Sequence, residues 1–192
     1  MNLTPDRAER LRALGNLGFT AAQSEGALDG SIPVMGVFDV EIRRGGKVIA
    51  RDISSNIVTT EGLNHILDVV LHGTSATSTW YIAPFEGNYT PVAGLTAATF
   101  TAAATECTAY DEATRVAYVE AAASGGVTTN AASRAVFTIN ASKTLYGAAL
   151  LSASAKSSTS GVCLAAARFS SSRAVVDNDE VAVSYSLTLT ST

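Results

Sequence analysis

The chain has 192 residues, of which 47% are hydrophobic, 16% charged and 7% aromatic, with a formal net charge of −4. An acidic balance with scattered Lys and Arg argues against a phosphate backbone as the main partner, and no run reaches the roughly 18 apolar residues of a membrane-spanning helix. Ala, Ser, Thr and Gly are left to make most of the surface, where an ordinary monomer shows about a quarter to a third charged residues. Two readings follow, a compact Ala-rich β protein or a surface covered by neighbouring subunits.

The length suits one domain plus an arm. The opening LTPDRAERLRALG places Thr4 as N-cap, Pro5 at the first helical position, Asp6 in the first turn and Gly15 as the stop, which predicts a short helix from Pro5 to Leu14. Its apolar side is only Ala8, Leu11 and Leu14, so it needs a surface to dock on. From Gly15 to Pro33 the sequence is rich in Gly, Ala and Ser with isolated apolar residues, which reads as an extended arm and puts a boundary near Ile32. Residues 1–32 are therefore expected to be a helix and arm, and 33–192 the β domain. Leu3, Leu11, Leu14, Leu17 and Phe19 are the candidate partner-binding anchors. The N-terminus lacks the basic-then-apolar order of a signal peptide, so synthesis in the cytoplasm is the default expectation.

VFDVEIRRGGKVIARDI reads as a hairpin turning at Gly45-Gly46, with Phe38, Val40 and Ile42 on the dry face and Val37, Asp39, Glu41 and Arg43 on the wet one. NIVTTEGLNHILDVVLHG then carries Leu63, Ile66, Leu67, Val70 and Leu71 at the spacing of one helical face. Thr59 or Thr60 suits its cap, Glu61 its first turn and Gly73 its end, and such a helix is expected to cover one face or end of the core. After it come WYIAPF, TECTAY, RVAYVEAAA, SRAVFTIN, TLYGAALLSAS, VCLAAARF and EVAVSYSLTLT, separated by turn-rich loops. This spacing predicts an all-β fold, a jelly roll or related β-sandwich with one internal amphipathic helix. AVFTINASKTLYGA reads as a hairpin, with Phe137, Ile139, Leu145, Leu150 and Leu151 in the core and Gly147 as a bulge or close approach. The last strand has a Ser/Thr polar face without charged guards, which requires it to be central or its edge to be occupied.

No catalytic, cofactor-binding or metal-binding set emerges. His65 and His72 lie two helical turns apart, about 10 Å, too far for one metal. Asp177, Asp179 and Glu180 lack the remaining ligands of a calcium loop and read as a turn. Asp111 or Glu112 is expected to pair with Arg115 in a turn between strands. Trp80 and Tyr81 with Asp111 and Glu112 are the residues a carbohydrate site would use, although a lone Trp in a β protein usually belongs to the core. Cys107 and Cys163 are expected as buried free thiols.

The series NIVTTEGLNHIL, WYIAPF, TAYDEATRVAYV, AVFTINASKTLYGAALLSAS and FSSSRAVVDNDEVAVSYSLTLT, over Asn56 to Thr192, resembles small structural proteins of tailed bacteriophages, among them the capsid cement or decoration proteins. The resemblance implies a non-enzymatic protein of the virion, made in the host cytoplasm and bound to the capsid exterior. There it would self-associate as a homodimer or homotrimer and bridge major capsid protein subunits, without direct contact to nucleic acid or membrane. The alternative is a tail, fibre or baseplate component, and a carbohydrate-binding protein is a third reading.

Overall fold

A computed structural model describes residues 32–190. The expected helix over 5–14, the arm and its anchors Leu3, Leu11, Leu14, Leu17 and Phe19 lie outside that range. Met35–Leu187 forms one compact unit. The other unit, Met1–Val34 with Thr188–Thr192, consists mainly of residues outside the described range.

The compact unit is an all-β sandwich of two five-stranded sheets. The first sheet contains β1 (Val34–Arg44), β2 (Lys47–Ser55), β6 (Val127–Thr129), β7 (Ala135–Thr138) and β10 (Glu180–Leu189). Its order is β2-β1-β10-β6, with β7 also paired to β10. The second contains β3 (Ile57–Val58), β4 (Trp80–Phe85), β5 (Val116–Tyr118), β8 (Lys143–Leu151) and β9 (Cys163–Val175) in the order β3-β9-β8-β4-β5. β1 and β2 meet in the expected hairpin, Arg44 opposite Lys47, with Gly45 and Gly46 at φ of 55° and 77° as a tight turn of this hand requires. β10 is central, which removes the edge hazard of its Ser/Thr face.

The second predicted hairpin does not form. β7 pairs with β10 in the first sheet, whereas β8 pairs with β4 and β9 in the second, so Asn140–Ser142 carries the chain from one sheet to the other. Phe137, Ile139, Leu145, Leu150 and Leu151 are all buried nonetheless. Alternation had located each strand's dry face correctly, but a turn sequence does not distinguish a hairpin from a crossing between layers.

The second sheet is buried on both faces. Leu150 of β8 faces Tyr185 of β10 across the sandwich, while Ala83, Phe85, Ala149, Leu151, Cys163 and Ala166 pack on the opposite side with Leu95, Ala97, Phe100 and Ala104. That outer layer is a segment the sequence had not marked as helical, α2 (Ala97–Phe100) running into a π turn at Thr101–Thr105. Thr96 and Thr99 cap it reciprocally, a Thr version of the usual capping box. Burial on both faces explains the unbroken apolar run in GAALL, and it puts many alanines inside rather than on the surface. Gly147 sits at a register shift of β8, where an added Cβ would overlap the Ala167 carbonyl oxygen and the Phe85 ring. It is the close approach expected, whereas the extra residues of the shift lie opposite it in β9, between Arg168 and Arg173.

A buried carboxylate ties the sheets together. Asp52 of β2 accepts from Arg173 Nη2 at 2.7 Å, from the Ser170 N–H at 3.1 Å, and from the hydroxyls of Ser54 and Ser170. Burial pushes its carboxyl up, but the bonds from Ser170, Ser54 and Arg173 together outweigh that and hold it at about 2, below its ordinary 3.8. Asp179, buried beneath Arg44 at 2.8 and 2.7 Å, is held low chiefly by that bond.

The helix α1 (Thr60–Leu71) attaches through its first turn. Thr59 accepts from the Gly62 N–H at 2.9 Å and donates to the Cys163 carbonyl. Glu61 accepts from the backbone N–H groups of Ala97 at 2.9 Å and Cys163 at 2.7 Å, joining α1, α2 and β9.

Two predictions follow from these contacts. Gly62→Ala would gain about 1 kcal/mol from helix propensity alone, but an added Cβ would overlap the Leu164 backbone, so urea unfolding is expected to show a net loss of about 1–3 kcal/mol; a stabilised variant would refute the close docking. A carboxyl lowered on folding stabilises fully above its unfolded value and loses that contribution as pH falls through its folded value. The roughly 2 kcal/mol from Asp52 should therefore disappear between about pH 4 and pH 2. Asp52→Asn should be the less stable protein near pH 7, with the gap narrowing over that window; a constant gap in acid-unfolding curves would reject the assignment.

Candidate functional site

The apolar stripe of α1 does not cover the core as expected. Leu63, Leu67, Val70 and Leu71 are 37, 54, 72 and 79% exposed, and the buried residue of the helix is Gly62. The cause lies in the anchoring just described. Gly62 against Leu164, with Thr59 and Glu61 on Cys163 and Ala97, fixes the first turn closely and leaves Leu67, Val70 and Leu71 of the later turns exposed. The sequence shows that one stripe is apolar, and it carries no signal for the direction in which the stripe faces.

Beside this helix lies an apolar cleft of about 330 Å³. Ile66, Val69 and Val70 of α1 form one wall, Trp80 of β4 and Tyr118 of β5 another, and Leu150, Leu164, Tyr185 and Leu187 the floor, so both sheets contribute. The ring of His65 meets Trp80 edge-on at 5.5 Å and its Nε2 lies 3.1 Å from Thr77 Oγ1. Tyr118 donates to the Tyr185 carbonyl at 3.3 Å, and burial pushes its hydroxyl up to about 12. Burial raises the Tyr185 hydroxyl too. The floor is thus made of apolar side chains and two phenols raised by burial, and His65 and Glu120 complete a lining that suits apolar side chains.

The sequence's other candidates do not converge. Trp80 and Tyr81 open on different clefts, Tyr81 facing one lined by Ser152–Ala155 and Ala76–Thr79. Glu112 caps the Thr138 N–H at 3.1 Å, and neither it nor Asp111 lines either cleft, so the four residues of the carbohydrate reading are not brought together. His72 ends α1, its N–H donating to the Asp68 carbonyl at 3.0 Å. Asp177 accepts from Asn178 while Asp179 is taken by Arg44, and among the described residues no three His, Cys, Asp or Glu side chains gather as a metal site. Cys107 and Cys163 are both buried and free, and burial pushes the Cys163 thiol up to about 12.

Arg115 pairs with neither Asp111 nor Glu112. Its partner is Glu106, reached at 2.8 and 2.7 Å with both side chains buried. The same guanidinium donates to the carbonyls of Ala153 and Ser158, each at 3.0 Å. A guanidinium with its donors committed this way holds loops, and it offers no open position to a ligand.

No protein-family model and no curated protein matches the chain.

The exposed stripe should bind an apolar dye in the native state. At high dilution, where single chains predominate, we expect anilinonaphthalene sulfonate fluorescence to be enhanced by the folded protein and mostly lost in Val70→Asp with Leu71→Asp. Stability should change by no more than about 0.5 kcal/mol per substitution, as for other surface positions. Unchanged dye fluorescence in the folded double variant would show that the stripe is not the apolar surface.

Proposed function

We propose that this chain is a non-enzymatic structural protein of a tailed-bacteriophage virion, a capsid cement or decoration protein that sits on the shell exterior and bridges major capsid protein subunits. The observation that carries this reading is the outward-facing stripe of Leu63, Leu67, Val70 and Leu71 beside an apolar cleft. Contiguous apolar surface of this kind marks a place where another chain packs, which fits the self-association that bridging neighbouring capsid subunits calls for.

The scaffold behind it supports the same reading. Asp52 with Arg173 and Asp39 with Arg134 link strands or layers distant in sequence, and Glu106 with Arg115 clamps the outer layer. A domain cross-tied in this way transmits load between two partners without shearing its own layers. On a symmetric shell each copy touching two capsomers gains effective concentration for the second contact, so modest contacts suffice. The resemblance of Asn56–Thr192 to phage structural proteins supplies the choice of capsid as partner.

Quantitative mass spectrometry of purified virions, with the major capsid protein as internal reference, tests it. The expected result is a copy number in simple ratio to the capsid protein. A few copies per particle would move the chain to the tail, fibre or baseplate, and absence from the particle would end the virion reading.

A further inference from the structure

The cleft and the α1 stripe form one continuous apolar receptor, since Val70 belongs to both. Among the described residues nothing covers the stripe. We infer that the occupant is the N-terminal segment of a second copy, with Leu11, Leu14, Leu17 and Phe19 laid along α1 and into the cleft.

Three observations point to this occupant. The chain carries 31 residues before the described range, and their isolated apolar residues Leu11, Leu14, Leu17 and Phe19 are the single anchors that a segment seated in an apolar groove needs. That segment joins the sandwich at the start of β1, where Gly36 lies against Tyr185, itself a lining residue of the cleft. The 15 residues between Phe19 and Met35 span up to about 50 Å when extended, enough to reach the same cleft on a neighbour. Charge agrees as well: Arg12 is the one charged residue between Leu11 and Phe19, and Asp68 and Glu120 are the exposed carboxylates on α1 and at the cleft. Reciprocal exchange of the segment between two copies closes a dimer, and exchange in one rotational sense closes a trimer. The biological use of this exchange, joining copies into a clasp over the shell, rests on the capsid reading.

Cysteine cross-linking of the full-length chain tests it. Cys107 and Cys163 are buried, so engineered thiols react selectively. Phe19→Cys chains mixed with Val70→Cys chains are expected to form a mixed disulfide at least tenfold more abundantly than Phe19→Cys with Ile53→Cys, an equally exposed position on β2. The bond requires Cα atoms within about 7 Å. Circular dichroism verifies that each variant folds.

Cross-linking confined to a chain carrying both Phe19→Cys and Val70→Cys, at high dilution, would make the occupant the chain's own segment and overturn the proposal. Dimers formed by Val70→Cys alone would overturn it in favour of α1 packing on α1, and no mixed disulfide in folded protein would overturn it outright. The assay contains no capsid, so its failure leaves the capsid reading standing, and a chain missing from virions leaves the exchange standing.

Discussion

The buried pair of Arg115 and Glu106 is the contact on which the outer layer depends. Glu106 also accepts from the Ser157 N–H at 3.0 Å and from the Thr101 hydroxyl at 3.3 Å, while the Arg115 N–H donates to the Ser154 carbonyl at 2.8 Å. One ion pair therefore fixes the π turn after α2, the approach to β5 and the loop between β8 and β9. Desolvating two charges costs several kcal/mol each, and what offsets that here is the bidentate geometry with nearly every remaining donor and acceptor matched. An apolar pair of the same volume would leave the carbonyls of Ala153 and Ser158 without their guanidinium, so the charges specify loop positions as well as filling space.

Holding that layer in place is what lets the second sheet be dry on both faces. Alanines in β8 and β9 keep the three layers close, and Phe85 against Phe100, 6.2 Å apart and edge to face, fills the outer one. With α2 and its π turn already covering this face, α1 is not needed as a lid. Its attachment runs through Thr59, Glu61 and Gly62 with His65 against Trp80 and Thr77, and its apolar side is left for something else. The surface that suggests a partner is thus a consequence of how the core was closed.

Much of the sandwich was legible in the sequence because strand periodicity is a local signal. The Gly45-Gly46 hairpin, the buried face of β1, the Thr59 cap, the Gly73 stop at φ of 74° and the strand β10 all follow from neighbours within a few residues, although Ala182 and Ser184 on the expected polar face of β10 are buried too. What failed to read were relations across the chain. Asn140–Ser142 has the composition of a hairpin turn yet crosses between sheets, Arg115 passes over Asp111 and Glu112 to reach Glu106, and Ala97–Thr105 is too short and Thr-rich to carry a helical period. Half of the cleft's lining falls between His65 and Trp80, but the rest comes from β5, β8, β9, β10 and the segments around Glu120 and Thr128, far along the chain.

The placement of Trp80 has one further consequence. It is the single tryptophan of the chain, and its indole forms part of the cleft wall with the imidazole of His65 against it. The protein therefore carries its own optical probe at the place where a partner would seat. Any body entering the cleft changes the polarity around the one dominant near-ultraviolet emitter, so occupancy can be followed by intrinsic emission without attaching a label.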